Sequence, residues 1–378
     1  MFRFGCEARI HASDAATASA RPGASVKVLV TGGAGFIGSH IVDLLLAEGH
    51  EVRVLDALLA LAHSAPPDDI NPAVEFRHGD LADPDEAARA IQGVDAVCHQ
   101  AAMVGLGVDI GDAPDYVRHN DLATAVLLRA MARDGEARRL VLASSMVVYG
   151  EGRYRCEADG RVAPRPRAAA DLDRGRFEPR CPACNGPLQP EAVGESARLD
   201  PRNVYAATKV HQEHLCAAAG REAGIEVVAL RYHNVFGPRM PRDTPYAGVA
   251  SIFRSSLAAG RAPRVYEDGR QLRDFVHVRD VAHANLAALT APRLPGPFTA
   301  LNVASGQPRS ILDMAAALCD AHGDGTRRPE VTGDYRLGDV RHVFARADLA
   351  AEVLGFAARE PFAAAIAEFA DAPLRGPA

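Results

Sequence analysis

Tyr205 and Lys209 have the residue types and the spacing needed for proton transfer. They are four residues apart in Tyr205-Ala-Ala-Thr-Lys209, which places both side chains on one face of a helix. A phenol with a pKa near 10 is a poor base at neutral pH, whereas a nearby cation favours the phenolate. Lowering that pKa by ~3 units requires about 4 kcal/mol of differential stabilisation. Ser145 adds a hydroxyl just after a predicted strand, Arg139 to Ala143, although such a Tyr/Lys pair alone is also typical of an exposed helix.

A second group of residues has the types and spacing of a metal site. Cys181-Pro-Ala-Cys184-Asn-Gly186 resembles a zinc knuckle, in which two thiolates bind the metal and the following Asn and Gly orient backbone amides toward sulfur. Cys156 is a third candidate ligand and Asp159 a weaker fourth, because His or Cys is more convincing there. Three interpretations stay open: structural zinc, a redox-active pair, and reduced thiols without a ligand. The redox pair is disfavoured because no helix start accompanies the motif.

The element that must position these side chains is a strand, a tight turn and a helix near the amino terminus. Val26 to Val30 is a short apolar run typical of a buried parallel strand, and helical periodicity starts at Ile37. Gly32, Gly35 and Gly38 lie between them, at a spacing that lets the backbone turn sharply and approach a pyrophosphate closely. The phosphates then lie at the helix N-terminus.

The second predicted strand strengthens this interpretation. It runs from Glu51 to Leu55 and ends in Asp56, about 20 residues after the turn, where a ribose diol needs an acceptor. The pattern predicts a dinucleotide site, and an Asp at this position favours NAD over NADP. A positively charged nicotinamide would act with Lys209 to lower the pKa of Tyr205. Further along, Asp80 either accepts from the adenine amine or caps a helix that begins at Pro84.

Taken together, these motifs resemble the extended short-chain dehydrogenase/reductase family, the nucleotide-sugar epimerases and dehydratases. The resemblance runs from about Val26 to Phe369 and is interrupted by one insertion. It is carried by Thr31 to Gly38, Asp56, Asp80-Leu81, Ser144 to Gly150, Tyr205 to Lys209 and Arg231 to Arg239. It implies an α/β fold, a Rossmann-like doubly wound parallel sheet with a smaller, interleaved C-terminal substrate domain.

The resemblance also implies a role for each matched residue. Ser145 would hydrogen-bond the reacting sugar oxygen, Tyr205 would be the base, and Lys209 would hold the nicotinamide ribose. Asn120 would support the active-site network. The full set of implied cofactor-binding residues is Gly32, Gly35, Phe36, Ile37, Gly38, Asp56, Asp80, Leu81, Ala101, Ala102, Asn120, Ser144, Tyr205, Lys209, Tyr232 and His233. His233 departs from the family pattern, which usually has an aromatic residue at this position.

Three further residues are implied to bind the substrate together with Ser145. Asn234 would contact the sugar diphosphate. Arg273 and Arg341 lie in stretches similar to the family's diphosphate clamp, a role that suits guanidinium because it binds phosphate oxygens in a bidentate manner. For either arginine, a surface ion pair is the alternative.

The residues after Ser145 narrow the reaction. The family's 4,6-dehydratases have an Asp-Glu pair at the positions of Met146 and Val147, because elimination of water needs a separate acid and base. Decarboxylating relatives have Glu at position 147, and 3,5-epimerising relatives have Cys. The expected activity is therefore NAD-dependent epimerisation of a nucleotide-diphosphate sugar at C4 through a 4-keto intermediate. The alternatives are an NAD(P)-dependent 4-ketosugar reductase or 4-dehydrogenase on the same scaffold and, in another class, a silent NAD-sensing or scaffolding protein.

The predicted organisation has three parts. Residues 1–25 form a disordered tail, 26–235 the NAD-binding Rossmann domain, and 236–378 the nucleotide-sugar-binding domain, with 272–289 returning to the first. Residues 151–197 form the insertion, which resembles one in dTDP-L-rhamnose 4-epimerase-like members of the family. Because the insertion borders the predicted cleft, we expect it to contact the sugar or to close the site.

Composition limits the partners and the compartment. The chain has 378 residues, 48% of them apolar, and a net charge of -6, without a charged block that would indicate nucleic acid or a membrane surface. No apolar run approaches the ~18 residues that would cross a bilayer. Seven scattered cysteines, an odd number, favour a reducing cytoplasm over a disulfide framework. The helices predicted at Pro114 to Arg133 and Pro201 to Glu222 resemble those that form the family's homodimer.

Overall fold

The computed structural model describes residues 25–60, 63, 67–105, 110–134, 136–242, 248–323 and 326–376. The tail predicted at 1–25 lies outside the described residues except for Ser25.

Strands and helices alternate along the amino-terminal two thirds of the chain, as in a doubly wound fold. In the described part of the chain the strands are β1 (Lys27–Thr31), β2 (Glu51–Asp56), β3 (Glu75–His78), β4 (Ala96–His99), β5 (Arg139–Ser145), β6 (Arg153–Cys156), β7 (Gly160–Val162), β8 (Leu188–Glu191), β9 (Glu226–Tyr232), β10 (Asn234–Phe236), β11 (Arg264–Val265), β12 (Leu272–His277), β13 (Phe298–Val303), β14 (Pro308–Ser310) and β15 (Glu330–Val331). The α-helices are α1 (Phe36–Ala47), α2 (Pro84–Ile91), α3 (Ala113–Tyr116), α4 (Ala123–Asp134), α5 (Ala169–Leu172), α6 (Val204–Ala223), α7 (Val249–Ala258), α8 (Val278–Thr290), α9 (Ile311–Ala321), α10 (Asp348–Leu354) and α11 (Phe362–Asp371).

A seven-stranded parallel sheet forms the centre of the molecule, in the order β13-β9-β5-β4-β1-β2-β3. β1 pairs with β2 on one side and with β4 on the other, so the direction of winding reverses beside β1. Open α/β sheets bind ligands beyond the carboxyl ends of their strands at such a reversal. The Rossmann-like fold class expected from the sequence is confirmed.

Successive side chains of β1 point to opposite faces of the sheet, and each face is covered by helices. Val28 and Val30 pack in a core that includes Ile41 of α1 and Val281 of α8. Leu29 packs in a second core, on the face that α2, α4 and α6 cover. Burial on both faces explains why β1 is a continuous apolar run rather than an alternating one. Among the described helices, the structure has none of the length and apolar character required to cross a membrane.

The smaller, carboxy-terminal part is interleaved with the large sheet. A three-stranded sheet, β10-β12-β14, packs with α7, α9 and α11 around Phe236, Phe253 and Phe369. The chain then returns through β13, which is the edge strand of the large sheet. The sequence predicted that residues 272–289 return to the Rossmann domain. This holds for α8, which packs on α1, but not for β12, which belongs to the small sheet. β12 differs because its hydrogen-bonding partners are β10, in parallel, and β14, in antiparallel orientation.

The helix predicted over Pro114 to Arg133 is interrupted. α3 is followed by a π-helical turn, Val117–Leu122, and regular helix resumes at α4. An extra residue in the turn changes the direction of the side chains within it, and such turns are frequent at functional sites. Asn120 is one of the residues in this turn.

Candidate active site

A cavity of about 1070 Å³ lies at the carboxyl ends of the central strands, between the large sheet and the smaller part. It is larger than the ~300–1000 Å³ of typical ligand pockets. Most of the residues predicted for the site line it: Gly32, Gly35, Phe36, Ile37, Gly38, Asp56, Asp80, Leu81, Ala101, Ala102, Ser144, Ser145, Tyr205, Lys209, Tyr232, His233, Asn234 and Arg273. Asn120 and Arg341 are not among the lining residues.

The glycine turn has the geometry of a pyrophosphate cradle. Gly32 has φ of +69°, and a Cβ there would lie 2.6 Å from the Ala101 nitrogen. At Gly38 a Cβ would collide with the Gly32 carbonyl, so only glycine permits this contact of helix and strand. Gly35 precedes α1 and supplies no side-chain cap to its first-turn amides. Those amide donors, at the positive end of a helix facing the cavity, fit the phosphates of a dinucleotide.

Asp56 is the last residue of β2 and Asp80 follows β3, but they have different partners. Asp56 is buried and accepts hydrogen bonds from the amides of Ala34, in the glycine turn, and Leu58, at 3.0 and 2.9 Å. Asp80 accepts from the Ala82 amide at 2.9 Å and from the Arg118 guanidinium at 2.7 Å.

The helix cap predicted as an alternative for Asp80 is wrong. The N-cap of α2 is Asp83, whose side chain accepts from the amides of Asp85 and Glu86. The sequence contains aspartates at both 80 and 83, and Asp83 is the one directly before Pro84, where a cap belongs.

Ser145, Tyr205 and Lys209 converge at one end of the cavity. Ser145 is the last residue of β5 and caps the short 3₁₀ turn that follows, and its hydroxyl is close enough to the Tyr205 phenol to lower the pKa of that group. Asn203 caps α6 through a hydrogen bond from the Ala206 amide, which starts the helix just before Tyr205. One turn later, the Lys209 ammonium donates to the Ala143 carbonyl at 2.8 Å and lies 5.9 Å from the centre of the Tyr205 ring.

The protein alone does not make the Tyr205 phenol acidic. Burial raises its pKa to about 12, against the lowering effect of the Ser145 hydrogen bond, and burial lowers the pKa of Lys209 to about 8. The phenol loses its water on burial, while the Lys209 ammonium is held on the Ala143 carbonyl. The lowering expected from the sequence counted on two cations, Lys209 and a nicotinamide ring, and only the first of them belongs to the protein. A nicotinamide ring in the cavity would add the second positive charge that favours the phenolate.

A buried ionic network behind these residues was not predicted from the sequence. Glu213 of α6 and Arg231 of β9 form a bidentate pair with distances of 2.9 and 2.7 Å. Glu213 also accepts from the Ser144 hydroxyl at 2.5 Å, and Arg231 donates to the Tyr149 hydroxyl at 2.9 Å. The network joins the tyrosine helix to the serine strand. Its signal in the sequence was Glu213, one helical turn after Lys209 on the same face.

Asn120 supports the wall of the cavity from behind. It is completely buried, and its side chain accepts from the Met103 amide at 2.8 Å and donates to the Met103 carbonyl at 3.0 Å and the Thr208 hydroxyl at 2.9 Å. Met103 lines the cavity, and Thr208 is next to Lys209. This placement agrees with the supporting role implied by the resemblance, but not with direct contact to a cofactor.

Three consecutive residues at the end of β9 line the cavity. The Tyr232 hydroxyl exchanges hydrogen bonds with the side chain of Asn285 at 2.8–3.0 Å. Burial lowers the pKa of His233 to about 3, which keeps the imidazole neutral. The Asn234 side-chain oxygen is buried and has no protein partner among the described residues. His233 and Asn234 thus present polar groups to the substrate end of the cavity.

The two arginines predicted to clamp a diphosphate have other partners. Arg273 lines the cavity, but its guanidinium donates to three backbone carbonyls, those of Leu272, Val340 and Arg341, at 2.7–2.9 Å. Arg341 is fully buried away from the cavity and pairs with Glu178, Glu267 and Asp268 at 2.6–2.8 Å. The prediction for Arg341 is wrong, because three carboxylates remote in sequence occupy its donors. The alternative of a surface pair is wrong as well, because the side chain has no exposed area.

The insertion folds as a separate unit beside the cavity. β6, β7 and β8 form an antiparallel sheet in the order β7-β6-β8. Contrary to expectation, no described residue of 151–197 lines the cavity. Glu178 and Arg167 instead pair with Arg341 and Glu267, and Glu267 is a lining residue. The insertion therefore braces the substrate end of the cavity from outside.

Comparison with known proteins agrees with the fold. The model of the "NAD dependent epimerase/dehydratase family" matches residues 28–169 and 182–304, with a gap at 170–181 inside the insertion. The chain therefore belongs to this family. It is 33% identical over 324 residues to a dTDP-L-rhamnose 4-epimerase from Burkholderia thailandensis, an alignment that covers 84% of this chain and 86% of that protein.

Solved structures of the family have the same architecture. The UDP-glucose 4-epimerase of Thermus thermophilus in complex with NAD is 30% identical and has a TM-score of 0.72, covering 91% of this chain and 98% of that chain. The UDP-N-acetylglucosamine 4-epimerase of Methanobrevibacter ruminantium, in complex with UDP-N-acetylmuramic acid, is 27% identical with a TM-score of 0.73, covering 92% and 97%. The first of these binds NAD in the fold that this chain shares.

Proposed function

We propose that this protein is an NAD-dependent epimerase that inverts C4 of a nucleotide-diphosphate sugar. The observation that carries the proposal is the convergence of Ser145, Tyr205 and Lys209 at one end of a cavity whose other end is the glycine turn. Beside Ser145 the cavity is lined by Met146 and Val147, which cannot move a proton. The acid–base group next to Ser145 is therefore Tyr205, which suffices for oxidation and reduction at a single carbinol.

The side chains act on the sugar as follows. Ser145 donates a hydrogen bond to the C4 oxygen, and the Tyr205 phenolate removes the proton of the C4 hydroxyl as the C4–H bond breaks. The glycine turn and Asp56 would hold NAD, which would supply the hydride acceptor for C4 and, for return to the opposite face of the 4-keto sugar, the hydride donor. Tyr205 gives the proton back to the C4 oxygen in the second half, so that neither protons nor electrons are gained overall. Lys209 holds positive charge near the phenolate and is within one helical turn of it.

The substrate would lie across the cavity from the glycine turn. The unpartnered Asn234 oxygen and the neutral His233 are the polar groups available there, and Arg273 completes the wall. Relatives named as 4-epimerases of dTDP-L-rhamnose and of UDP-glucose support a nucleotide-diphosphate sugar as the substrate class.

The test is incubation of the purified protein with a panel of nucleotide-diphosphate sugars, with chromatographic separation of the C4 epimers. We expect conversion toward an equilibrium mixture with only catalytic NAD and no net change in absorbance at 340 nm. Stoichiometric consumption of NAD(P)H, with a reduced sugar as product, would overturn the proposal in favour of the 4-ketosugar reductase. Absence of turnover and of any affinity for nicotinamide dinucleotides would overturn both.

We also propose that the protein is a cytoplasmic homodimer. Large apolar side chains are exposed on consecutive segments beside α6, at Val104, Ile110, Val117 and Leu122. The π turn and α4 pack on α6, so these elements form one surface, which a second copy of the chain would cover. Unpaired cysteines throughout the described part of the chain fit a reducing compartment.

A further inference from the structure

Four side chains of the types that bind metals converge in the insertion. They precede Tyr205 in the sequence and lie outside the cavity. One ligand atom from each of Cys156, Asp159, Cys181 and Cys184 lies within 4.8 Å of every other. Cys156 and Asp159 come from the turn between β6 and β7, and the other two come from a loop before β8. We propose that these four residues bind one zinc ion that holds the insertion together.

The distances agree with a tetrahedral site. The Cys156 and Cys184 sulfurs are 3.4 Å apart, and the nearer Asp159 oxygen is 3.3 Å from Cys156 and 3.2 Å from Cys181. With Zn–S bonds of about 2.3 Å, the ligand atoms of a tetrahedral zinc site are roughly 3.5–3.8 Å apart. A sulfur–sulfur separation of 3.4 Å is also well beyond the ~2.05 Å of a disulfide.

The backbone around the cysteines has the form of a metal-binding knuckle. The Cys181 amide bonds the Gly186 carbonyl at 3.0 Å, and the Asn185 amide bonds the Cys181 carbonyl at 2.9 Å. Asn185 has φ of +60°, in the left-handed region that lets the chain turn around a metal. Cys181 is buried, whereas Cys184 is exposed at the tip. Three thiolates and one carboxylate are a donor set that favours zinc over the harder Mg²⁺ and Ca²⁺.

The insertion needs such a ligand because its apolar core is very small. The buried cluster consists of Tyr154, Leu188 and two of the candidate ligands, Cys156 and Cys181, with Val162 packed against it. A unit of this size rarely supplies enough buried apolar area to fold on its own, and a structural metal is a common remedy. The zinc ion would therefore supply free energy of folding to the insertion.

The metal site is linked mechanically to the cavity wall. The loop between α5 and Cys181 carries Glu178, which pairs with the buried Arg341, and Arg167 donates to the Asp339 carbonyl at 2.7 Å. Asp339 and its neighbour Val340 line the cavity. Loss of the metal would release this brace without removing a group that touches the substrate.

The first measurement is the metal content of protein purified without chelator, by inductively coupled plasma mass spectrometry. We expect about one zinc per chain, and for Asp159→Asn and Cys184→Ser a loss of most of it. Both substituted residues are exposed, so folding without metal would not be disturbed by them. The matched control is Glu157→Gln, an exposed carboxylate in the same turn that is not among the candidate ligands and should retain full zinc. Cobalt in place of zinc should give the absorption of a tetrahedral thiolate complex.

The second measurement is limited trypsin digestion followed by mass spectrometry, which does not depend on any activity. Exposed arginines at 161, 174 and 176, none of them followed by proline, are potential cleavage sites within the insertion. We expect chelator-treated protein and the Asp159→Asn variant to be cut there about tenfold faster, and added Zn²⁺ to restore protection to the treated wild type only. Less than about a tenth of an equivalent of zinc, with no uptake of Co²⁺, would overturn the proposal. So would an oxidised cysteine pair, or equal metal content in Asp159→Asn and Glu157→Gln.

Discussion

The chemistry of this protein is concentrated in a few side chains whose environment opposes the reaction until the cofactor is present. Burial raises the pKa of Tyr205 to about 12, and its nearest cation, Lys209, is held on a backbone carbonyl. A positively charged nicotinamide in the cavity would therefore add to the effect of Lys209 and favour the phenolate. Premature deprotonation is disfavoured by the same burial. Met146 and Val147 keep the neighbourhood of Ser145 free of competing acids and bases.

The residue-level prediction is that Tyr205→Phe abolishes epimerisation and preserves cofactor binding. Removing a general base costs about 10²–10⁴-fold in rate, and the phenol hydroxyl contributes no packing area. Turnover is measured by separation of the epimers, and NAD affinity by fluorescence or calorimetry. Tyr335→Phe is the control, since Tyr335 is half-buried outside the cavity and its hydroxyl donates to Asp173 in an exposed hydrogen bond. Tyr205→Phe activity within about tenfold of wild type would place the base elsewhere.

The helix α6 carries the proposed base, Tyr205, so its position relative to β5, which ends in Ser145, decides the geometry of the site. The Glu213–Arg231 pair holds α6 in this position, and its two side chains are only 4–5% exposed. Asn302 of β13 extends the network, because its side-chain oxygen accepts a hydrogen bond from the Tyr149 hydroxyl at 2.7 Å. One buried cluster of polar side chains therefore connects β13 with α6 and β9. Burial of these charged groups carries a large desolvation penalty. In return, the hydrogen-bonded cluster fixes the position of α6 relative to β5.

The element-level prediction is that Glu213→Gln lowers the free energy of unfolding by about 3–5 kcal/mol, because it leaves the Arg231 guanidinium buried without its carboxylate. Urea denaturation followed by circular dichroism measures the change. Glu222→Gln, at an exposed position on the same helix, should differ from wild type by less than ~0.5 kcal/mol. Equal stability of the two variants would show that the pair is not a stabilising part of the network.

At the scale of the whole molecule, the large-sheet part and the smaller carboxy-terminal part enclose the cavity. The insertion contacts the smaller part and supports its side of the cavity wall. The interleaving of β13 and α8 with the large sheet ties the substrate part to the cofactor part by two crossings rather than by a single linker. The cavity wall at Asp339 and Val340 is in turn held by the insertion. On the opposite side, the apolar surface beside α6 is where a second copy would pack.

The molecular-level prediction concerns that surface. Val117→Asp places a charge on a side chain that is 49% exposed at the proposed interface, and we expect the dimer dissociation constant to rise by about tenfold or more. Light scattering coupled to size-exclusion chromatography measures the mass as a function of concentration. Val331→Asp is the matched control, because Val331 is 47% exposed on β15 in the substrate part. A monomeric wild type, or equal dissociation of both variants, would remove the interface from this surface.

The sequence alone was sufficient for features that depend on local geometry. The glycine turn, the strand before it and the Tyr205–Lys209 pair are each formed within a few residues, so spacing predicts them directly. The convergence of Cys156, Asp159, Cys181 and Cys184 was indicated by the same kind of local spacing, in two short segments.

Tertiary structure decided everything that depends on partners distant in the chain. Arg341 became a buried ion-pair centre because Glu178 and Glu267 are brought to it from far along the chain. The direction of the Tyr205 pKa shift was decided in the same way, because desolvation depends on the segments packed over the ring and leaves no trace in the Tyr/Lys spacing. Local spacing determines which side chains share a face, whereas burial and charge pairing are properties of the assembled core.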